Sequence, residues 1–258
     1  MKHIKGLDTL RAFAVTMVVI AHWSPVIRID QPVARFIRIF FIPDGTFGVN
    51  MFFVLSGFLI TSILLNVRSG THTDSRSQII KIFFARRVLR IFPIYYLLLL
   101  LLYGLNMGDV VSNIWYYLTY TINIVYYKTG QLNAVSYIWT LAVEEQFYLL
   151  WPWLIVFVER NYLGYLFAAA IVAGIASTFI TMGVYDQKFP FLVINCFDAF
   201  GIGGIYAFVM LRSDLRMQFE RVTKKMVLIP LIIYGYWKIA DYTYQPQYSI
   251  FLKFDRSE

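Results

Sequence analysis

The sequence predicts an all-α fold, a polytopic transmembrane helical bundle of about seven spans with a cytoplasmic N-terminus. Three observations carry this expectation. Of the 258 residues, 59% are hydrophobic and 19% aromatic, and the mean hydropathy is +0.61. A soluble domain needs more polar cover than that. The apolar residues fall into runs of roughly 18 to 22, and a helix of about 20 residues crosses some 30 Å of hydrocarbon. Basic residues gather between the runs, as they do in loops held on the cytoplasmic side.

The runs, in order, are 7–26, 47–65, 88–105, 137–158, 163–183, 191–211 and 226–240, the last being short. The first resembles a signal-anchor and is read as retained, since no cleavage-site pattern follows it. No soluble domain fits between the runs, and no repeat or low-complexity tract is present, so residues 1–258 read as one integral-membrane domain. With 23 Lys and Arg against 15 Asp and Glu the net charge is +8. In a soluble chain such an excess suggests nucleic acid. Here it fits loops facing an anionic leaflet, with membrane lipid as the partner and a multi-pass place in the cell (inner or plasma) membrane. The single cysteine, Cys196, excludes an internal disulfide.

Orientation rests on two basic clusters. Loop 67–90 holds Arg68, Arg76, Lys81, Arg86, Arg87 and Arg90, and loop 212–225 holds Arg212, Arg216, Arg221, Lys224 and Lys225. Both are cytoplasmic if the N-terminus is. The stretch "VVSNIWYYLTYTINIVYY", residues 110–127, is long enough to span, but then the cluster at 212–225 would have to be translocated. Its asparagines, threonines and tyrosines suit an interfacial segment, and it is placed at the outer surface.

Polar groups inside such runs mark candidate sites, because an ionisable side chain in hydrocarbon needs a partner, a cavity or a pathway. Arg11 and His22 are eleven residues apart, which puts them on one helix face about 16 Å apart along the axis. Asp8 lies one turn before Arg11 and can pair with it. Membrane headgroups are the competing environment for Asp8 and Arg11. In "YIWTLAVEEQFYLLWPW" Glu144 and Glu145 point about 100° apart and cannot both face lipid without cost, so one is expected to face the bundle interior, hydration of both near the outer interface being the competing reading. Pro152 is expected to kink that helix and open space beside the glutamates. Arg87 and Arg90, one turn apart and next to Arg86, form either a phosphate clamp or a topology anchor. Asp198 precedes Gly201, Gly203 and Gly204, which permit close helix approach, and serves as a site residue or as a structural polar contact. "GTFGVNMFFVLSGFLIT" carries Gly48, Ser56 and Gly57, which also suit tight packing. Cys196 reads as a packing residue. No metal is expected, because His3, His22 and His72 lie in different environments, and there is no G-x-S-x-G or Walker-type stretch.

Together these residues resemble the acyltransferase family 3 membrane proteins. Leu7, Asp8, Leu10, Arg11, Ala12 and then His22 follow that family's L-D-x-L-R-A and its later histidine. "GVNMFFVLSGFLIT" is similar to its G-V-x-x-F-F-V-L-S-G-F-L-I, with Asn50 where many members carry aspartate. "RRVLRIFPIYY" resembles R-x-x-R-I-x-P-x-Y through Arg87, Arg90, Ile91, Pro93 and Tyr95. "WTLAVEEQFYLLWP" resembles W-[ST]-L-x-V-E-x-Q-F-Y through Trp139, Thr140, Leu141, Val143, Glu144, Gln146, Phe147 and Tyr148, which puts the family's glutamate at Glu144. "FDAFGIGGIYA" resembles a weaker D-x-x-x-x-G pattern through Asp198 and Gly203. The resemblance covers roughly residues 5–210. Members usually have about ten spans, so a short or C-terminally truncated member is expected.

The resemblance implies transfer of an acyl group, most often acetyl, from cytoplasmic acyl-coenzyme A to a hydroxyl of a cell-surface polysaccharide or its lipid-linked precursor. Catalytic roles then fall to His22, Glu144, Asp8 and Arg11, donor binding to Arg86, Arg87 and Arg90, and acceptor contacts to Trp139, Tyr148 and Asp198. A neutral imidazole suits proton removal from a hydroxyl near pH 7, and a carboxylate such as Glu144 can orient it. Transient acylation of His22 itself is the alternative chemistry. A proton-coupled transporter, or a catalytically silent truncated member, would carry the same intramembrane charges.

Overall fold

The computed structural model describes residues 6–23, 45–69, 75–130, 135, 137–183 and 191–212. The chain divides into two compact units, residues 53–211 and residues 2–52 with 212–258. Every regular element among the described residues is helical: α1 (Leu7–Trp23), α2 (Gly45–Ser69), α3 (Arg76–Gly104), α4 (Gly108–Ser112), α5 (Ile114–Leu118), α6 (Ile122–Thr129), α7 (Ile138–Phe157), α8 (Leu163–Gly183) and α9 (Phe197–Met210). Short 3-10 turns precede α8 and α9. Four stretches, Gly45–Arg68, Arg76–Gly104, Arg160–Thr181 and Val193–Met210, are long and apolar enough to cross a membrane. The 17 residues of α1 fall short of that length, and Glu144, Glu145 and Gln146 lower the apolarity of the 20-residue α7. The expected run 226–240 lies outside the described residues, as does the basic cluster beyond Arg212.

One expectation is corrected. The described part of the basic stretch 67–90 is almost entirely helical and not a loop. Arg68 closes α2, and α3 begins at Arg76, so Lys81, Arg86, Arg87 and Arg90 all lie on a helix. The local reasons are an N-cap, with the Ser75 hydroxyl accepting from the Gln78 amide at 3.2 Å, and the buried stripe of Ile79, Ile80 and Phe83. Arg68 caps α7 instead of marking a loop, donating from Nη1 to the carbonyls of Ile155 at 2.8 Å and Val158 at 2.5 Å. Asp198 lies within the candidate span Val193–Met210, as expected. It sits in the first turn of α9, where its carboxylate accepts from the Ala199 amide at 2.7 Å, which satisfies one of the free donors of a helix start.

Residues 110–127 do not form one spanning helix. They break into α4, α5 and α6, pinned to α3 by its tyrosines. The Tyr95 hydroxyl donates to the Tyr117 carbonyl at 2.7 Å and that of Tyr96 to the Leu118 carbonyl at 3.1 Å. Within the segment, Asp109 Oδ2 accepts from the hydroxyls of Tyr117 at 2.5 Å and Tyr126 at 3.0 Å. Burial, reinforced by the bond to Asp109, pushes the Tyr117 phenol far above its ordinary value, so it remains a donor.

The core of the larger unit has one part around Tyr95, Tyr117 and Tyr126, joining α3 to the 108–129 segment and the start of α7, and another where α7 meets α2, α8 and α9. Phe147 stacks on Phe200 at 3.7 Å, Trp151 packs on Phe167 at 5.7 Å, and Trp151 Nε1 donates to Thr61 Oγ1 at 2.9 Å. Glycines bring α2 and α9 into backbone contact. A Cβ on Gly57 would overlap the Phe200 carbonyl, and one on Gly203 would overlap the Val54 carbonyl. On the periphery α3 exposes Leu89, Ile94 and Leu100, and α8 exposes Tyr165, Val172 and Phe179, the apolar surface a lipid-facing helix presents. In the smaller unit Gly48 lies against α1, where a Cβ would press on Val18 and Ala14.

Candidate active site

The site is built on α7. Glu144 and Tyr148 are four residues apart and share one face. Both are buried, at 8% and 4% exposure, so each needs polar partners. Ser56, from the glycine-rich middle of α2, supplies them. Its hydroxyl donates to Glu144 Oε1 at 2.7 Å and lies 3.2 Å from the Tyr148 hydroxyl. Ser56 has one proton, and a carboxylate only accepts. The Tyr148 hydroxyl therefore donates to Ser56, giving a directed chain from Tyr148 through Ser56 to Glu144.

Arg87 of α3 covers this chain. Its guanidinium lies 4.0 Å from the centroid of the Tyr148 ring and 5.7 Å from that of Phe83, within cation–π range. Arg86 and Arg90, by contrast, are exposed. The three arginines thus do not act as one clamp: one is drawn inward and two face outward. Trp139 sits five residues before Glu144 on the same helix, edge-on to Phe191 at 5.3 Å and to Phe53 at 6.3 Å.

A second polar layer lies beside the first. Gln146 Nε2 donates to Asn123 Oδ1 and to the Tyr120 carbonyl, both at 2.8 Å, and Asn123 Nδ2 donates to the Phe191 carbonyl at 3.0 Å. This locks α6 and the turn before it onto α7. Gln146 thus ties the 108–129 segment to α7.

The remaining sequence candidates are placed as follows. Asp8 is exposed in the first turn of α1 and Arg11 is half-buried one turn on. His22 is the penultimate residue of α1. These three belong to the smaller unit. Asp198 is occupied at the start of α9, and Cys196 is buried with its Sγ 3.7 Å from the Leu192 carbonyl. Ser56, Asn123 and Tyr120 were not singled out as site residues. The signal for Ser56 was a lone hydroxyl in an apolar run, and for Asn123 an amide in an otherwise aromatic stretch.

The described residues thus form an all-helical membrane bundle with a buried polar centre made of a carboxyl group, two hydroxyls and a guanidinium. A family model described as an acyltransferase domain matches residues 4–255, and the chain belongs to that acyltransferase family. Among similar proteins are YrhL of Bacillus subtilis (strain 168), named as a peptidoglycan O-acetyltransferase, 32% identical over 60% of this chain and 24% of its own length. O-acetyltransferase OatA of Staphylococcus aureus (strain NCTC 8325 / PS 47) is 29% identical over 77% of this chain and 35% of its own. The chain therefore spans about a quarter to a third of the curated relatives it matches. No solved structure matches it.

Proposed function

We propose that the chain transfers an acetyl group from cytoplasmic acetyl-coenzyme A to a hydroxyl of a cell-surface polysaccharide or its lipid-linked precursor, in the inner (plasma) membrane. The observation that carries this reading is the Glu144–Ser56–Tyr148 chain under the Arg87 guanidinium. It combines a fixed carboxylate, a proton path and a cation, and the relatives named O-acetyltransferases support it. In the reaction the acceptor oxygen bonds to the thioester carbonyl carbon, the carbon–sulfur bond breaks, and the sulfur leaves as thiolate. His22 takes the acceptor proton and returns it to that thiolate. Arg11, near the donor end of the same helix with Asp8 one turn away, serves the donor. Arg87 supplies positive charge to the donor phosphates or to the developing oxyanion. Arg86 and Arg90 add a basic rim, and Trp139 faces the acceptor.

The test is acylation of surface glycans in cells carrying His22→Ala. A general base is worth roughly 10²- to 10⁴-fold, so acylation should vanish while membrane levels of the protein hold. Acylation near the wild-type level would end the catalytic role of His22.

A further inference from the structure

Two polar atoms close to the site lack what burial demands. The Tyr120 hydroxyl and Glu145 Oε1 are buried and have no hydrogen-bond partner among the described residues. Such groups are rare because each costs free energy. Tyr120 as a whole is 7% exposed, and it is tied to α7 beside Glu145, because the next residue, Gln146, donates to its carbonyl at 2.8 Å. The position of Tyr120 is over-determined. Its backbone has φ of 54°, unusual for an aromatic residue and held only where the surroundings impose it. Here the Gln146 bond takes its carbonyl, and its ring stacks on Tyr95 at 4.3 Å. Phe92 at 5.6 Å and Tyr96 at 6.2 Å complete an aromatic wall.

We infer that Tyr120 and Glu145 recognise a secondary amide, and that the amide is one of those in the pantetheine arm of the donor. This rests on the acyl-coenzyme A reading above. A phenol offers the proton an amide carbonyl needs, and a carboxylate accepts the amide N–H. The apolar rings suit the methylenes on either side. The order along α3 matches the order along the donor. Arg87 comes first, for phosphate, and Tyr95 follows eight residues later, about 12 Å along the axis. In coenzyme A the diphosphate is likewise followed by the two amides and then the sulfur. An N-acetylated sugar carries the same amide from the acceptor side, and the experiment separates the two.

The protein is purified into lipid nanodiscs, and binding of coenzyme A, of adenosine 3′,5′-bisphosphate (which lacks the arm) and of an N-acetylglucosamine disaccharide is measured. Tyr120→Phe and Glu145→Gln preserve shape, and unchanged bisphosphate binding reports an intact fold. Each variant should bind coenzyme A roughly three- to tenfold more weakly and the bisphosphate as the wild type does. Equal coenzyme A binding by wild type and variants overturns the amide site and leaves the donor reading standing. A wild type that binds neither coenzyme A nor the bisphosphate overturns the donor reading and this inference with it. Weakening confined to the disaccharide shows that the amide belongs to the acceptor and overturns the assignment to the arm.

Discussion

The Ser56 hydroxyl donates to Glu144 at 2.7 Å across 88 residues of sequence. The bond lets two substitutions separate charge from shape. Glu144→Gln keeps an oxygen for Ser56 to donate to and loses the negative charge. Transfer should fall by roughly 10²-fold or more, with the protein still folded. Ser56→Ala keeps the charge but strips a donor from Glu144 and an acceptor from Tyr148. A smaller loss is expected, roughly tenfold. Acyl transfer by purified variants, alongside thermal unfolding, checks both. Full activity in Glu144→Gln would reduce the chain to a packing device.

Arg87 and Arg90, alike in the sequence, should separate in experiment. Arg87 lies over Tyr148 at 4.0 Å, whereas Arg90 is exposed. A lost charge-assisted contact is worth roughly 1.5–3 kcal/mol, so Arg87→Ala should weaken donor binding on the order of tenfold or more. Arg90→Ala should cost much less, because solvent screens an exposed charge. Arg87→Lys keeps the charge and loses the flat stacking group, so recovery should be partial. Equal effects at the two positions would show that only net charge matters.

Asp109 ties the 108–129 segment together by accepting from Tyr117 and Tyr126. Its replacement by alanine strips both hydroxyls of this acceptor, although they remain 2.8 Å from each other. A buried donor left without its acceptor costs about 1–3 kcal/mol. The melting temperature of Asp109→Ala should drop, whereas Tyr126→Phe, which removes donor and demand together, should be milder. A stable Asp109→Ala protein would mean that the Tyr95 and Tyr96 contacts suffice to hold the segment.

What was legible in the sequence was what local pattern encodes. Apolar runs located α2, α3, α8 and α9, because crossing hydrocarbon demands length and apolarity together. The i, i+4 spacing of Glu144 and Tyr148 puts them on one helix face, and the motif glycines mark α2 and α9 as helices that permit close packing without naming the partner. Long-range pairing was not legible. Ser56 sits between small residues in "VLSGF", where a serine packs as readily as it donates, and its partner lies on another helix. Arg86, Arg87 and Arg90 have the same chemistry and nearly the same position. Only the neighbours of α3 decide which one turns inward. The start of α3 is not legible either, since its charged first turns hide the buried stripe of Ile79, Ile80 and Phe83.

The contact between α2 and α9 gives the sharpest structural test. Gly203 faces the backbone of α2, where an added Cβ would overlap the Val54 carbonyl and press on the Phe58 amide at 2.6 Å. Neither is the flexible end of a side chain, so relief requires the helices to part. Their separation would also disturb Ser56, which lies between Val54 and Phe58 on α2. Overpacking typically costs about 1–3 kcal/mol and occasionally more, and Gly203→Val should lie at the upper end. Gly164, early in α8, has open space where its Cβ would be, so Gly164→Ala should be neutral or slightly stabilising. Thermal unfolding in detergent followed by size-exclusion chromatography compares the two. Gly203→Val should lose most of its monodisperse fraction while Gly164→Ala keeps it. A Gly203→Val protein as stable as the wild type would show that α2 and α9 do not meet at this glycine, and the placement of Ser56 beside Glu144 would fall with it.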